Sequence, residues 1–263
     1  MKIEVIQKKN IDSLEYKIGD VFEVESTWYG GVNVTSQTGI PISLDKEEYK
    51  EIKEENTFKV LMLNGSANQN GCTYTALSEI GKALEEEGIS YEIFQIGADP
   101  IRDCIGCHQC NENGCIFTDD KVNQFVEKAK EADGFIFGTP VYYAHPSGRV
   151  LSFLDRVFYS SKNAFAHKPA ASVASARRAG TTASLDALNK YFGISSMPTV
   201  GSTYWNMVHG NSAEEVLQDK EGLQTMRNIA KNMSWLIKCL ALGKEQGIVL
   251  AKEERENKTN FIR

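Results

Sequence analysis

The segment FKVLMLNGSANQNGCT, residues 58–73, decides the fold of this chain. Its first six residues form an apolar run with the length and composition of a buried strand. The following residues are rich in Gly, Ser, Asn and Thr, and helical apolar spacing then continues through Leu77, Ile80 and Leu84. A strand, a loop of small polar residues and a helix in this order predict a βα unit. Such a loop can close its backbone N–H groups around a phosphate at the helix N-terminus.

The loop matches neither of the two commonest nucleotide-binding motifs. It contains no Gly-Lys-Ser/Thr of a Walker A loop and no Gly-x-Gly-x-x-Gly of a dinucleotide fold. A single phosphate monoester therefore fits the loop better than a triphosphate does. An ordinary strand-to-helix turn of an α/β protein uses the same residue types, so the loop alone leaves that alternative open.

Length, composition and charge limit the class of protein. The chain has 263 residues, 41% of them hydrophobic, which is enough for one medium domain and a small second one. A net charge of −6 argues against nucleic acid as the main partner. The sequence has no run of 18 apolar residues, and Glu4 interrupts the segment that a signal peptide would need. We therefore expect a soluble cytoplasmic protein that does not bind membranes.

The chain divides into regions that differ in composition and in hydrophobic pattern. Residues 1–56 contain short alternating runs separated by glycine turns, which predict three to five antiparallel strands in a small β-barrel-like module. Within it, residues 46–56 have the composition of a charged linker in a helical or coil conformation. A larger α/β domain is expected over residues 57–245, followed by a charged tail over 246–263.

Strand and helix patterns alternate from residue 58 onwards. The strands are predicted at 58–63, 90–96, 134–138, 170–174 and 197–201. The helices are predicted near 72–87, 119–132, 147–160, 182–193 and 219–242. Five strands with helical crossovers predict a doubly wound parallel sheet, whose ligands lie beyond the carboxyl ends of the strands.

Two further loops follow predicted strands and should reach the same edge of the sheet. Residues 138–148 carry Tyr142 and Tyr143 among prolines and glycines, which is a suitable border for a flat ring system. Residues 175–182 carry the adjacent Arg177 and Arg178, which would place positive charge near the same crevice. The simpler alternative is that the tyrosines pack against the sheet and the arginines are solvated.

Four of the six cysteines fall within a span of twelve residues, at Cys104, Cys107, Cys110 and Cys115. In a cytoplasmic protein, such clustering indicates metal or redox chemistry and not a disulfide framework. Four thiolates at this spacing suit a [4Fe–4S] cluster or a tetrahedral zinc ion. A third possibility is that the cysteines hold no metal and form a redox-labile loop or a packing surface at a dimer interface.

Together these motifs resemble those of a known family. The loops at 65–73, 138–148 and 178–182 are similar to those of flavodoxin-like NAD(P)H-dependent FMN reductases, over roughly residues 58–242. The spacing Cys-x-x-Cys-x-x-Cys-x4-Cys resembles the iron-sulfur flavoprotein branch of that family. The resemblance implies a five-stranded sheet of order 2-1-3-4-5, FMN held by its 5′-phosphate, and a homodimer. It leaves the N-terminal module unexplained.

The resemblance also implies which residues bind the cofactor. The phosphate contacts are expected at Ser66, Asn68, Asn70, Gly71, Cys72 and Thr73, the ring contacts at Pro140, Val141, Tyr142 and Tyr143, and further contacts at Arg178 and Gly180. Two positions depart from the family pattern: Ala67 replaces a frequent proline, and Cys72 stands where Asn is usual. Neither change removes a backbone donor. No side chain is expected to act as a catalytic group, because the flavin supplies the chemistry.

The activity that the resemblance implies is an oxidoreductase. NAD(P)H would deliver hydride to FMN, and the electrons would pass to a quinone, a flavin or another small acceptor. The first alternative is an FMN and [4Fe–4S] electron carrier that does not oxidise nicotinamide, and the second is a non-catalytic redox-sensing protein. The sequence leaves open the acceptor, the choice between NADH and NADPH, and the role of the N-terminal module.

Overall fold

A computed structural model describes residues 2–52, 58–111, 114–250, 252–254, 256, 257 and 259. The chain divides into two compact units, residues 1–56 and residues 57–263. In the part that the structure describes, every helix is too short or too polar to cross a membrane.

The N-terminal unit is a small antiparallel sheet. Its strands are β1 (Lys2–Val5), β2 (Val21–Trp28), β3 (Gly31–Thr35), β4 (Pro41–Asp45) and β5 (Tyr49–Ile52). They lie in the order β4-β3-β2-β1-β5. Alternate side chains of these strands point to one side and form the core of the unit, which includes Ile3, Val5, Phe22, Val32, Val34 and Leu44.

Strand β5 corrects one prediction, because its residues were assigned to a charged linker of helix or coil. Residues 49–52 pair with β1 instead. The strand is anchored by Glu48, whose buried carboxylate accepts hydrogen bonds from Lys9 N at 2.7 Å and from Tyr16 Oη at 2.9 Å. The charged residues of this segment are therefore typical of an exposed strand face. The rest of the linker, residues 53–56, lies outside the described residues.

The second unit is a parallel sheet with helices on both faces. Its strands are β6 (Lys59–Asn64), β7 (Ser90–Gln95), β8 (Gly134–Tyr142), β9 (His145–Pro146), β10 (Ala170–Ala176) and β11 (Met207–His209). Its helices are α1 (Cys72–Glu86), α2 (Val122–Glu131), α3 (Gly148–Ser160), α4 (Thr181–Ile194), α5 (Ala213–Val216) and α6 (Lys220–Glu245). The order β7-β6-β8-β10-β11 confirms the predicted flavodoxin-like arrangement, and β9 pairs only with β8.

Each face of this sheet has its own apolar core. Helices α2, α3 and α4 cover one face, where the ring of Phe125 packs edge-on against Phe153 at 5.4 Å and against Phe94 at 5.2 Å. Helices α1 and α6 cover the other face with mainly aliphatic side chains. The central strands are buried on both sides, which explains their continuous apolar sequences.

The fifth strand also differs from its prediction. Residues 197–201 do not form a strand, and only Thr199 bridges to β10, next to Pro198. The chain then leaves the ladder and returns as β11, six residues after the predicted end. Asn206 stabilises this detour, since its buried side chain donates to Val200 O at 3.3 Å. Two separate segments therefore pair with β10 on its outer side, the bridge at Thr199 and strand β11.

Candidate functional site

Three connections meet at the carboxyl edge of the parallel sheet. They are the β6–α1 loop (residues 65–71), the β8–β9 hairpin (residues 139–147) and the β10–α4 loop (residues 177–180). Gly65 N donates to Gly138 O at 2.9 Å, at the base of the first two connections. The predicted site segments therefore lie together, at the place where a doubly wound sheet binds its ligands.

The polar side chains of the β6–α1 loop give the loop its shape. Asn64 Oδ1 accepts from Ser66 N at 3.2 Å, and Ser66 Oγ accepts from Asn68 N at 3.1 Å. Asn68 Oδ1 in turn accepts from Asn70 N at 3.2 Å. These are successive side-chain turns of the kind that Asn and Ser favour. The sequence pattern of the loop is thus explained by its backbone path, and Ser66 and Asn68 position backbone groups.

The N-terminus of α1 presents backbone N–H groups at the carboxyl edge of the sheet. The helix begins at Cys72 after the extended residue Gly71, without a side-chain cap and without an acidic residue in its first turn. The N–H groups of the first turn have no acceptor within a helix, and they carry the positive end of the helix dipole. The Thr73 hydroxyl is engaged by Ser175, at 2.8 Å. Backbone N–H groups are therefore the main donors that this end offers to an anion.

The β8–β9 hairpin has an unusual tip. Val141 pairs with Pro146 and Tyr142 with His145, so that Tyr143 and Ala144 form the turn. Both turn residues are left-handed, with φ of 49° and 62°, which favours the tight two-residue hairpin but strains residues other than glycine. Tyr143 is fully exposed and Tyr142 is half-exposed. Neither ring packs into the sheet, in contrast to the simpler alternative.

Gly180 brings the β10–α4 loop against the hairpin. Its φ is +92°, and a Cβ atom there would lie 2.5 Å from Ala144 Cα and 2.8 Å from Val141 Cγ1. Only glycine fits this conformation and this close approach. The neighbouring Arg177 and Arg178 are exposed and have no ion pair within the described residues. They add positive charge beside the hairpin.

Two residues tie further connections to this edge. Gln95, at the end of β7, donates its Nε2 to Ser66 O at 2.7 Å. Cys72 donates its thiol to Gly210 O, after β11, at 3.5 Å. Burial raises the pKa of the Cys72 thiol, and the nearby Glu215 raises it further. The Cys72 side chain therefore links the start of α1 to the connection that follows β11.

The four clustered cysteines lie together in the structure. All four are free thiols and line one small pocket, together with Ile105, His108, Phe117, Arg156 and Tyr159. Burial raises the pKa of Cys110, and the charges of Cys115, Cys107 and Cys104 raise it further. The thiolates would therefore repel one another, and a cationic group between them would relieve this repulsion.

The four cysteines supply the donor set of a metal centre. Four free thiols that line one pocket match in number and type the ligands of a [4Fe–4S] cluster. Across the described residues, no three His, Cys, Asp or Glu side chains are placed to hold one metal ion.

The last cysteine is held more firmly than the other three. Asn123, on α2, accepts from Cys115 N at 2.9 Å and donates to Cys115 O at 2.8 Å. The guanidinium of Arg156, on α3, donates to Cys115 Sγ at 3.3 Å and forms an ion pair with Asp120. The sequence analysis missed all three partners. The available signal was a basic residue within the apolar face of a predicted helix.

These features define a doubly wound α/β protein with an uncapped helix N-terminus at the carboxyl edge of its sheet and a separate four-cysteine pocket. Comparisons with known proteins give the family. Residues 58–212 match the NADPH-dependent FMN reductase family. An iron-sulfur flavoprotein of Methanocaldococcus jannaschii is 31% identical over 193 residues, which cover 69% of this chain and 98% of the relative. The chain belongs to the FMN reductase family, in its iron-sulfur flavoprotein group, and is thus an FMN-dependent flavoprotein oxidoreductase.

Other relatives agree with this assignment. An iron-sulfur flavoprotein of Methanosarcina thermophila is 28% identical over 162 residues, which are 59% of this chain and 83% of the relative. Among solved structures, a flavone reductase superposes with a TM-score of 0.54 at 16% identity. The match covers 70% of this chain and 64% of the flavone reductase chain. RosB with bound 8-demethyl-8-formylriboflavin-5′-phosphate superposes with a TM-score of 0.52 at 15% identity. The match covers 78% of this chain and 94% of the RosB chain. At these identities the structural matches show the fold alone.

Proposed function

We propose that the protein binds FMN at the carboxyl edge of the parallel sheet and uses it to oxidise NAD(P)H. The observation that supports this proposal most strongly is the uncapped N-terminus of α1, which follows the β6–α1 loop at the carboxyl edge of the sheet. A helix N-terminus of this kind can bind one phosphate group through its free N–H groups. Bound FMN would supply the redox chemistry, accepting hydride and passing electrons to a small acceptor such as a quinone or a flavin.

The chain's own residues would then have separate roles. The N–H groups from Gly71 to Thr73 would bind the phosphate, and Ser66, Asn68 and Asn70 would keep the loop in its binding conformation. Pro140 and Val141, at the base of the hairpin, would border the ring, and the exposed Tyr142 and Tyr143 would cover it from the hairpin tip. Arg178 and Gly180 would close the other side, with the Arg178 charge favouring a ring that becomes anionic on reduction.

The cysteine pocket favours a second candidate function. Cys104, Cys107, Cys110 and Cys115 would hold a [4Fe–4S] cluster, which would supply one-electron transfer. With both cofactors bound, the protein could carry single electrons between other proteins without oxidising nicotinamide. We place this function second, because the description of the matching family names NADPH as the electron donor.

We further propose that the protein is a homodimer in the cytoplasm. The aromatic side chains near the site are poorly covered by their own chain: Tyr143 is fully exposed, and Tyr204 and Trp205 are more than half-exposed. Exposed aromatic residues around a ligand crevice are typical of a surface that another subunit covers.

The phosphate assignment is tested by the substitution Ser66→Asp. It places a negative charge against the phosphate, and we expect the Kd for FMN to rise about thirtyfold, equivalent to about 2 kcal/mol. Ser90→Asp is the matched control, since Ser90 lies exposed at the amino end of β7 and gains the same charge. Flavin titration by fluorescence would measure both variants. Unchanged FMN affinity in a folded Ser66→Asp variant would contradict the assignment.

The two candidate functions are separated by rapid mixing. The FMN-loaded protein is mixed anaerobically with NADH and, separately, with NADPH, and the flavin absorbance is followed. Reduction within seconds by either nucleotide supports the reductase. A flavin that dithionite reduces but neither nucleotide reduces would favour the electron carrier.

A further inference from the structure

Arg156 is the largest side chain in the core and is only 1% exposed. It lies on the same face of α3 as Val157 and Phe153, among buried apolar residues. A buried charge is costly unless it is paired and fully hydrogen-bonded. This cost requires an explanation, and the partners of the guanidinium provide one.

The guanidinium holds the cysteine segment at both ends. Nη1 lies 3.4 Å from Arg102 O, before the first cysteine, and Nη2 donates to Phe117 O at 3.2 Å, after the last cysteine. Nε donates to Cys115 Sγ at 3.3 Å. The carboxylate of Asp120 accepts from both terminal nitrogens and pairs with the charge. One side chain therefore fixes the two ends of the segment and touches one of its sulfurs.

The charge of Arg156 persists in this environment. The guanidinium of arginine keeps its proton in proteins, and the ion pair with Asp120 compensates its burial. A permanent cation thus donates to the sulfur of Cys115, whose backbone Asn123 also holds. Hydrogen bonds to ligand sulfurs and nearby charges set the potentials of iron-sulfur centres.

We propose that Arg156 is a positioning residue for the four-cysteine pocket, which holds Cys115 as a preformed ligand and raises the reduction potential of the [4Fe–4S] cluster bound there. The inference rests on the proposed cluster. Reduction would add one electron, supplied by the reduced FMN or by the reductant of the titration, and would neither form nor break a bond. The added negative charge would fall partly on the thiolate sulfurs, where the N–H of a cation would stabilise it, so the guanidinium would favour the reduced form.

The same helix offers a matched control in Arg149. It lies seven residues before Arg156, and its guanidinium also holds backbone carbonyls before the cysteines, with Nε to Asp99 O at 3.1 Å and Nη2 to Ala98 O at 2.9 Å. It is partly buried and does not line the cysteine pocket. Arg149→Gln therefore removes a similar loop contact without removing a contact to sulfur.

The test compares three variants of the full chain with wild type. Arg156→Lys keeps the charge but loses the planar fork of donors. Arg156→Gln combined with Asp120→Asn removes the charge and leaves no unpaired carboxylate in the core. Arg149→Gln is the control. After anaerobic cluster assembly, iron content and the midpoint potential from a titration followed by electron paramagnetic resonance are measured for each.

For the double variant, we expect an about tenfold lower ratio of reduced to oxidised cluster at the wild-type midpoint, a fall of about 59 mV for one electron. Arg149→Gln should keep the wild-type potential. If neither Arg156 variant retains iron while Arg149→Gln does, the positioning role is supported. The proposal would be overturned if the cluster-loaded wild type and the cluster-loaded Arg156 variants had the same midpoint potential. It would also be overturned if Arg149→Gln changed the potential or the iron content as much as the Arg156 variants do. A wild type without iron would instead remove the cluster itself, and with it this inference.

Discussion

Gly180→Ala tests whether the β8–β9 hairpin and the β10–α4 loop form one site. An alanine at φ of +92° carries left-handed strain of roughly 1–2 kcal/mol. Its Cβ would also lie 2.5 Å from Ala144 Cα, a backbone atom, so the hairpin must move. Overlap of this kind costs roughly 1–3 kcal/mol more. We expect a free energy of unfolding about 2–5 kcal/mol lower than that of wild type, together with weaker FMN binding because the hairpin is displaced.

Gly193→Ala supplies the control on the same helix. Gly193 lies in the last turn of α4, and a Cβ atom there would meet nothing within 4 Å. Alanine is preferred over glycine in a helix by about 1 kcal/mol, so this variant should be as stable as wild type or slightly more stable. Urea unfolding and FMN titration would measure both variants. If Gly180→Ala and Gly193→Ala unfold alike and bind FMN alike, the two connections do not form one site.

Three further predictions follow from the structure. Hydrogen bonds from Lys128 at 2.8 Å and Lys59 at 2.9 Å, against the opposing effect of burial, hold the pKa of Glu92 below its usual range. Glu92→Gln should therefore lower stability by about 1 kcal/mol at pH 7 in urea unfolding, and the difference should disappear as the pH falls below the ordinary value of 4.5 and through the lowered pKa of the folded state. Cys107→Ala should lose most of the iron of an anaerobic preparation but keep FMN; iron retained in full would exclude Cys107 as a ligand. Light scattering of the FMN-loaded protein should give the mass of a dimer at micromolar concentration, and a monomer would refute the proposed dimer.

The fold was predictable wherever burial left a clear pattern. Strands β6, β8 and β10 are buried on both faces and therefore have continuous apolar sequences. The predictions failed at the exposed edges. Strand β5 was assigned to a linker because residues 46–56 are mostly charged, and the position of the strand beside β1 depends on a buried carboxylate that no local pattern shows. The fifth strand was placed too early, because Pro198 to Gly201 have strand-like composition while the pairing residues come after the detour.

The site was predictable as a set of loops but not as a set of contacts. The small residues of the β6–α1 loop and the cysteine spacing are local patterns, and they pointed to the segments that the structure brings together. Whether Ser66 binds a ligand or shapes its own loop depends on hydrogen bonds with Asn64 and Asn68, which spacing cannot show. Arg156 was missed because its partners lie on a different part of the chain.

The broken fifth strand also affects how the protein behaves towards other chains. An outer strand of full length presents a continuous row of unpaired N–H and C=O groups, onto which another chain can add as a further strand. Here the outer strand β11 has only three residues, and the chain leaves the ladder between Val200 and Asn206. A foreign strand would find no continuous template on this side. The detour therefore protects the sheet from edge-to-edge aggregation, and restoring a continuous strand there would make the protein more prone to form fibrils.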